Sequence, residues 1–168
     1  MATSGVEIHH PNRERASSRA TRAIVVALLG ISVALLSLVL AGGWERIQGA
    51  KPMTIAWIVV YLVMMFYIAR WNRGVLPVAG ALAVLLAIFC GVAGPAWLDR
   101  DKPGLADPSI DESVLGMLTL LLIPIQGLLV AFTARGFLQH WNVEVEVPSG
   151  GAAGPAPRPP SKGEPAAA

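Results

Sequence analysis

Residues 23–44 read AIVVALLGISVALLSLVLAGGW, and no side chain among them ionises. A bilayer core of about 30 Å is crossed by ~20 helical residues at ~1.5 Å each, so this stretch alone is long enough to span it. Three more stretches share the property: Pro52–Ala69, Gly74–Leu98 and Ser113–Ala134. Only helices suit such segments, because an open strand in hydrocarbon leaves its backbone groups unpaired. The charged residues sit between the four stretches and in the segments before and after them. They make up 14% of the 168 residues, against roughly 25% in a soluble domain, while 54% are hydrophobic.

The expected fold class is therefore all-α: a polytopic membrane protein, a four-transmembrane-helix antiparallel bundle with spans at about 23–43, 53–70, 75–98 and 110–135. The transmembrane domain covers 19–142. Residues 1–18 are polar and aperiodic and read as a disordered tail. Residues 143–168 read as an extended piece followed by a disordered Pro/Ala/Gly-rich tail. Val143–Val147 alternates like a strand but has no evident partner in the sequence. The apolar part of the first span is longer than a signal-peptide core of ~7–15 residues, so an uncleaved anchor is expected.

Arg13, Arg15, Arg19, Arg22, Arg70, Arg73 and Arg135 fall on one side of this arrangement, and Arg46, Lys51, Arg100 and Lys102 on the other. The excess on the first side predicts both termini in the cytoplasm. Usage rich in Ala, Gly, Pro and Arg points to a bacterium, and so to its plasma (inner) membrane. The basic N-terminal segment suits anionic lipid; no nucleic acid is expected as a partner.

Local signals refine the picture. Gly42-Gly43 closes the first span and Trp44 follows at headgroup level, as do Trp71, Trp97 and Trp141 near other span ends. Ser109-Ile110-Asp111-Glu112 has the spacing of a capping box, with Ser109 as the cap. The fourth span is expected to continue past Arg135, with Phe137 and Trp141 on one face. Pro124 removes an amide and predicts a kink. Small residues recur at steps of three and four along span one (Ala20, Ala23, Ala27, Gly30, Ala34, Ser37, Ala41) and span three (Gly80, Ala83, Ala87, Cys90, Gly94). Both seams are expected to receive the bulkier spans two and four, or to mediate self-association or contact with another membrane protein. Each half also pairs a small-residue helix with a bulkier one ending in Trp-Asn, a pattern that the ordinary aromatic belt explains.

Ion-coupled transport generally needs a carboxylate, His, Lys or Arg within a span, and none of the four stretches has one. Haem would need imidazoles inside the bundle, but only His140 lies near a span. Thiol oxidation needs paired cysteines, whereas Cys90 is single. Adjacent His9 and His10 have no third ligand nearby, and Asp99-Arg100-Asp101 has no domain to present a substrate. No catalytic, cofactor-binding or metal site is expected. What does lie at depth is uncharged: Ser32, Ser37, Tyr61 and Gln126 share a level in the membrane and can form an interhelical polar cluster. The functional expectation is a non-catalytic accessory, assembly or scaffold subunit of a membrane complex. The alternative is an oligomeric transporter or channel for a small solute or lipid, and a membrane-bound enzyme ranks last.

Overall fold

The computed structural model describes residues 5–47, 49–99 and 108–149. Along the chain come β1 (Gly5–His9), α1 (Pro11–Glu14), α2 (Ala16–Gly42), α3 (Lys51–Ala69), α4 (Val75–Leu98), α5 (Glu112–Leu138) and β2 (Val145–Ser149). Helices α2 to α5 are each long and apolar enough to cross a membrane. Their surface agrees with that: Val59, Val63 and Phe66 on α3, Val92 on α4 and Met117 and Leu121 on α5 all face outward. In water such a belt would be an association surface far larger than a monomer exposes. In hydrocarbon it costs nothing.

Contacts between helix ends define the packing. Arg22 near the start of α2 meets Ala69 at the end of α3, Gly42 at the end of α2 meets Ser109 just before α5, and Arg73 before α4 meets Phe137 at the end of α5. Helices α4 and α5 form the most intimate pair, and α2 lies against both α5 and α3. Although α3 and α4 are consecutive, they touch only slightly.

Glycine explains the close pair. A Cβ on Gly94 would lie 2.5 Å from a Leu120 methyl, one on Gly80 would lie 2.9 Å from the Thr133 hydroxyl, and one on Gly116 would lie 3.2 Å from the Gly94 carbonyl. The small-residue seam of α4 thus faces α5, where dispersion contact is the main attraction available between helices in lipid. The seam of α2 behaves differently. Ala20, Ala23, Ala27, Ala34 and Ala41 are exposed, while Val25, Leu29, Ser32, Leu36 and Val39 point inward. Within the bundle α2 uses its bulky face, so the expectation that its smooth face receives a neighbouring span is corrected.

The segments bordering the helices hold further corrections. Residues 5–18 are not a structureless tail: β1 pairs antiparallel with β2 from Gly5 opposite Ser149 to His9 opposite Val145, which supplies the partner strand missing from the sequence reading. The cap of α5 is Asp111, whose carboxylate accepts from the Ser113 amide at 2.8 Å and from the Ser113 hydroxyl. Glu112 pairs instead with Arg46 at 2.6 Å, and Ser109 donates its amide to Gly42. The Ser113 bonds hold the Asp111 carboxyl below its usual pKa. Helix α5 runs unbroken through Pro124 but stops at Leu138. His140 then takes a left-handed φ of 48°, so Trp141 turns back beneath the bundle, fully buried, and does not share a helix face with Phe137. Residues 100–107 of the acidic loop and the expected disordered tail beyond 149 lie outside the described residues.

Candidate functional site

Three of the four polar residues expected at depth come together. The Tyr61 hydroxyl donates to Gln126 Oε1 at 2.9 Å, Gln126 Nε2 donates to Ser32 Oγ at 2.9 Å, and Ser32 donates to the Leu28 carbonyl one turn back at 2.8 Å. All three side chains are fully buried. The relay ties α3 to α5 and α5 to α2. Ser37 stays outside it, because five residues beyond Ser32 on a helix is a rotation of about 140°; its side chain is only partly buried.

The end of the bundle that carries the strands repeats the device. Trp141 Nε1 donates to Gln139 Oε1 at 3.0 Å, Gln139 Nε2 donates to Thr21 Oγ1 at 3.0 Å, and Thr21 donates to the Ser17 carbonyl at 2.9 Å. In both relays an aromatic donor feeds a glutamine, which feeds a hydroxyl on α2, which returns its proton to a carbonyl four residues back. Thr21 and Ser32 are three helical turns apart on one face, so α2 is fastened twice along a single line. Expecting α5 to continue past Leu138 hides Trp141 and Gln139 from a sequence reading.

Arginines close this same end. Arg22 Nη1 donates to the Ala69 carbonyl at 2.8 Å, Arg73 Nε to Phe137 at 2.7 Å and Arg13 Nε to Trp141 at 3.1 Å. These carbonyls lie at or beyond helix C-termini, where the last carbonyls lack helical partners and the dipole favours cations. The guanidiniums of Arg22 and Arg73 also stand 4.3 and 4.2 Å from the centres of the Trp71 and Phe137 rings. Trp71 holds an unusual left-handed φ of 65°, supported by Trp141 edge-on at 5.3 Å and by Arg22 above it.

At the opposite end, the slight contact between α3 and α4 leaves a cavity of about 140 Å³. Trp57, Phe89, Cys90, Trp97 and Leu122 are among its walls. Trp57 and Phe89 meet edge to face at 5.6 Å across the gap between the two helices. Thr54 and Thr119 also line it, with their hydroxyl protons committed to Ala50 at 3.0 Å and Leu115 at 2.8 Å. Trp57 Nε1 is buried without a hydrogen-bond partner. The Tyr61 hydroxyl one turn along α3 is close but is not met at hydrogen-bonding geometry. The sequence signal for Trp57 is slight: it lies about 6 Å into its expected span, one turn in from where interfacial indoles usually sit.

The other sequence candidates remain apart. His9 faces Glu14 at 3.3 Å, and no group of three or more metal-ligating side chains occurs among the described residues. Asp101 and Asp107 of the acidic loop lie outside the described residues, and Asp99 follows the last turn of α4. The chain matches no protein-family model, and neither a curated protein nor a solved structure is significantly similar to it.

Proposed function

We propose that this chain is a non-catalytic subunit that assembles or steadies a larger complex in the bacterial plasma membrane, with both termini in the cytoplasm. The observation that carries the reading is the uncovered alanine face of α2, running from Ala20 to Ala41 while the bundle packs on the opposite side. Helices in lipid associate where small side chains let backbones approach, so such a face suits a transmembrane helix of a companion protein. Saturated buried relays support a scaffold role, since they fix helix positions without offering a titrating group for coupling. The arginine bias among the flanking segments supports the orientation.

Purification in a mild detergent should recover a companion membrane protein in stoichiometric amount. Ala27→Leu with Ala34→Leu should release it and leave thermal stability of the bundle unchanged. A homo-oligomer that dissociates in the same variant would assign the face to a second copy instead, and a lone monomer would overturn the proposal. Reporter fusions at each terminus test the orientation. The alternative, an oligomeric carrier for a small solute or lipid, draws on the cavity beside Trp57; flux in proteoliposomes abolished by Gln126→Leu in a folded bundle would place it first.

A further inference from the structure

We infer that the cavity between α3 and α4 is a binding site for an apolar ring carrying a carbonyl oxygen, the chemistry of a membrane quinone, with the Trp57 indole N–H as its hydrogen-bond donor. Four observations converge on this chemistry. The first is place. The cavity lies where two consecutive helices hardly touch, and the Phe89 ring that meets Trp57 across the gap is 42% exposed, so only that ring has to swing aside to admit a molecule dissolved in the bilayer.

The second is size. A volume of about 140 Å³ suits a single six-membered ring; an apolar cavity of about 150 Å³ accepts benzene. The third is the donor and acceptor inventory. Thr54 and Thr119 have spent their protons on backbone carbonyls, which leaves Trp57 Nε1 as a buried donor in search of an acceptor. A buried N–H without a partner costs on the order of 1–3 kcal/mol, so an acceptor delivered there is favoured beyond the apolar contact. A ligand that also had to donate would gain little.

The fourth is depth. Trp57 stands about 9 Å from the first residue of α3, and Ile47, Ala50 and Trp97 at the helix ends also line the cavity, so it runs from the interface inward. A ring whose carbonyl is not tethered to a headgroup can follow it down to Trp57; a lipid ester is the competing acceptor, and the test separates the two. The inference concerns binding alone and involves no redox step at the protein.

The test uses the full chain in nanodiscs of diether phospholipid, which has no ester carbonyl. The probe is cyclohexanone, a single six-membered ring with one carbonyl, which does not add to thiols. It should bind saturably and slow the reaction of Cys90, the chain's single cysteine, with a membrane-permeant maleimide. Trp57→Phe keeps a ring but deletes the donor, and should weaken binding about tenfold, the worth of one hydrogen bond. Methylenecyclohexane, the same ring with no acceptor atom, should bind about tenfold more weakly and protect correspondingly less.

Equal binding by Trp57→Phe, equal binding of methylenecyclohexane, or absence of saturable binding would each overturn the inference. Binding that disappears in diester nanodiscs would show that the lipid's own ester fills the cavity, and would also overturn it. Protection of Cys90 is read on the wild-type chain, so the test stands even if Trp57→Phe does not fold.

Discussion

At the scale of single residues, the structure shows polar side chains placed for what they can hand on. Gln126 accepts from α3 and donates to α2, so Gln126→Leu should strip the Tyr61 hydroxyl of its acceptor and destabilise the bundle by about 1–2 kcal/mol. Reversible unfolding in mixed micelles measures it. The Asp111 carboxyl gives a pH signature. Its pKa is depressed by the Ser113 bonds, so the ionised cap stabilises the fold above the ordinary carboxylate value near 4, and the contribution disappears as pH falls through the lowered folded value. Asp111→Asn can still cap but cannot ionise. The wild type should therefore melt higher than Asp111→Asn at pH 6, and the gap should close as pH is lowered past the folded pKa. Depth along a span can be counted from sequence, which is why Ser32, Tyr61 and Gln126 were legible together. The angular position that excludes Ser37 depends on which face of α2 is buried, and the missing partner of the Trp57 indole is a matter of geometry that a count along the chain does not reveal.

At the scale of helices, the contrast among glycines is directly testable. Gly94→Ala and Gly80→Ala place a methyl against Leu120 and Thr133 and should push α4 off α5 at a cost of about 1–3 kcal/mol. Gly91→Ala and Gly127→Ala meet nothing within 4 Å and should be neutral or slightly stabilising, because alanine is the better helix former. The same unfolding assay separates the two classes. The two relays should act independently: Thr21 and Ser32 are about 16 Å apart along α2, so Gln126→Leu and Gln139→Leu should have additive effects. The four helices were legible from uninterrupted apolarity alone, since ionised side chains are so costly in hydrocarbon. Which face of each helix turns inward was not. In lipid both faces are apolar, so the contrast that reveals the buried stripe of a soluble helix is absent, and a regular row of alanines suits the interior and an external partner equally.

At the scale of the molecule, the two ends are secured by different chemistry. One end relies on arginines that reach helix carbonyls and aromatic rings. The other holds Arg46 and Glu112 in contact at 2.6 Å with side chains only 5% and 16% exposed. Removing one member leaves a buried charge, so Arg46→Met should cost about 3 kcal/mol or more, while Arg46→Met with Glu112→Met should recover much of the loss. A double-mutant cycle on detergent-solubilised protein checks this. The pairing of β1 with β2 was illegible because the segments stand at opposite ends of the chain and neither alone has enough alternation to name its mate. That ribbon also imposes an order on biosynthesis. Gly5 leaves the ribosome first, yet must wait for Ser149 to emerge before it can pair, so all four crossings are inserted while the leading strand is still unmated. The ribbon is then the last seal on a chain already threaded through the bilayer, and a permuted gene that joins 149 to 5 by a short linker and opens the chain at residue 72 would let it form early.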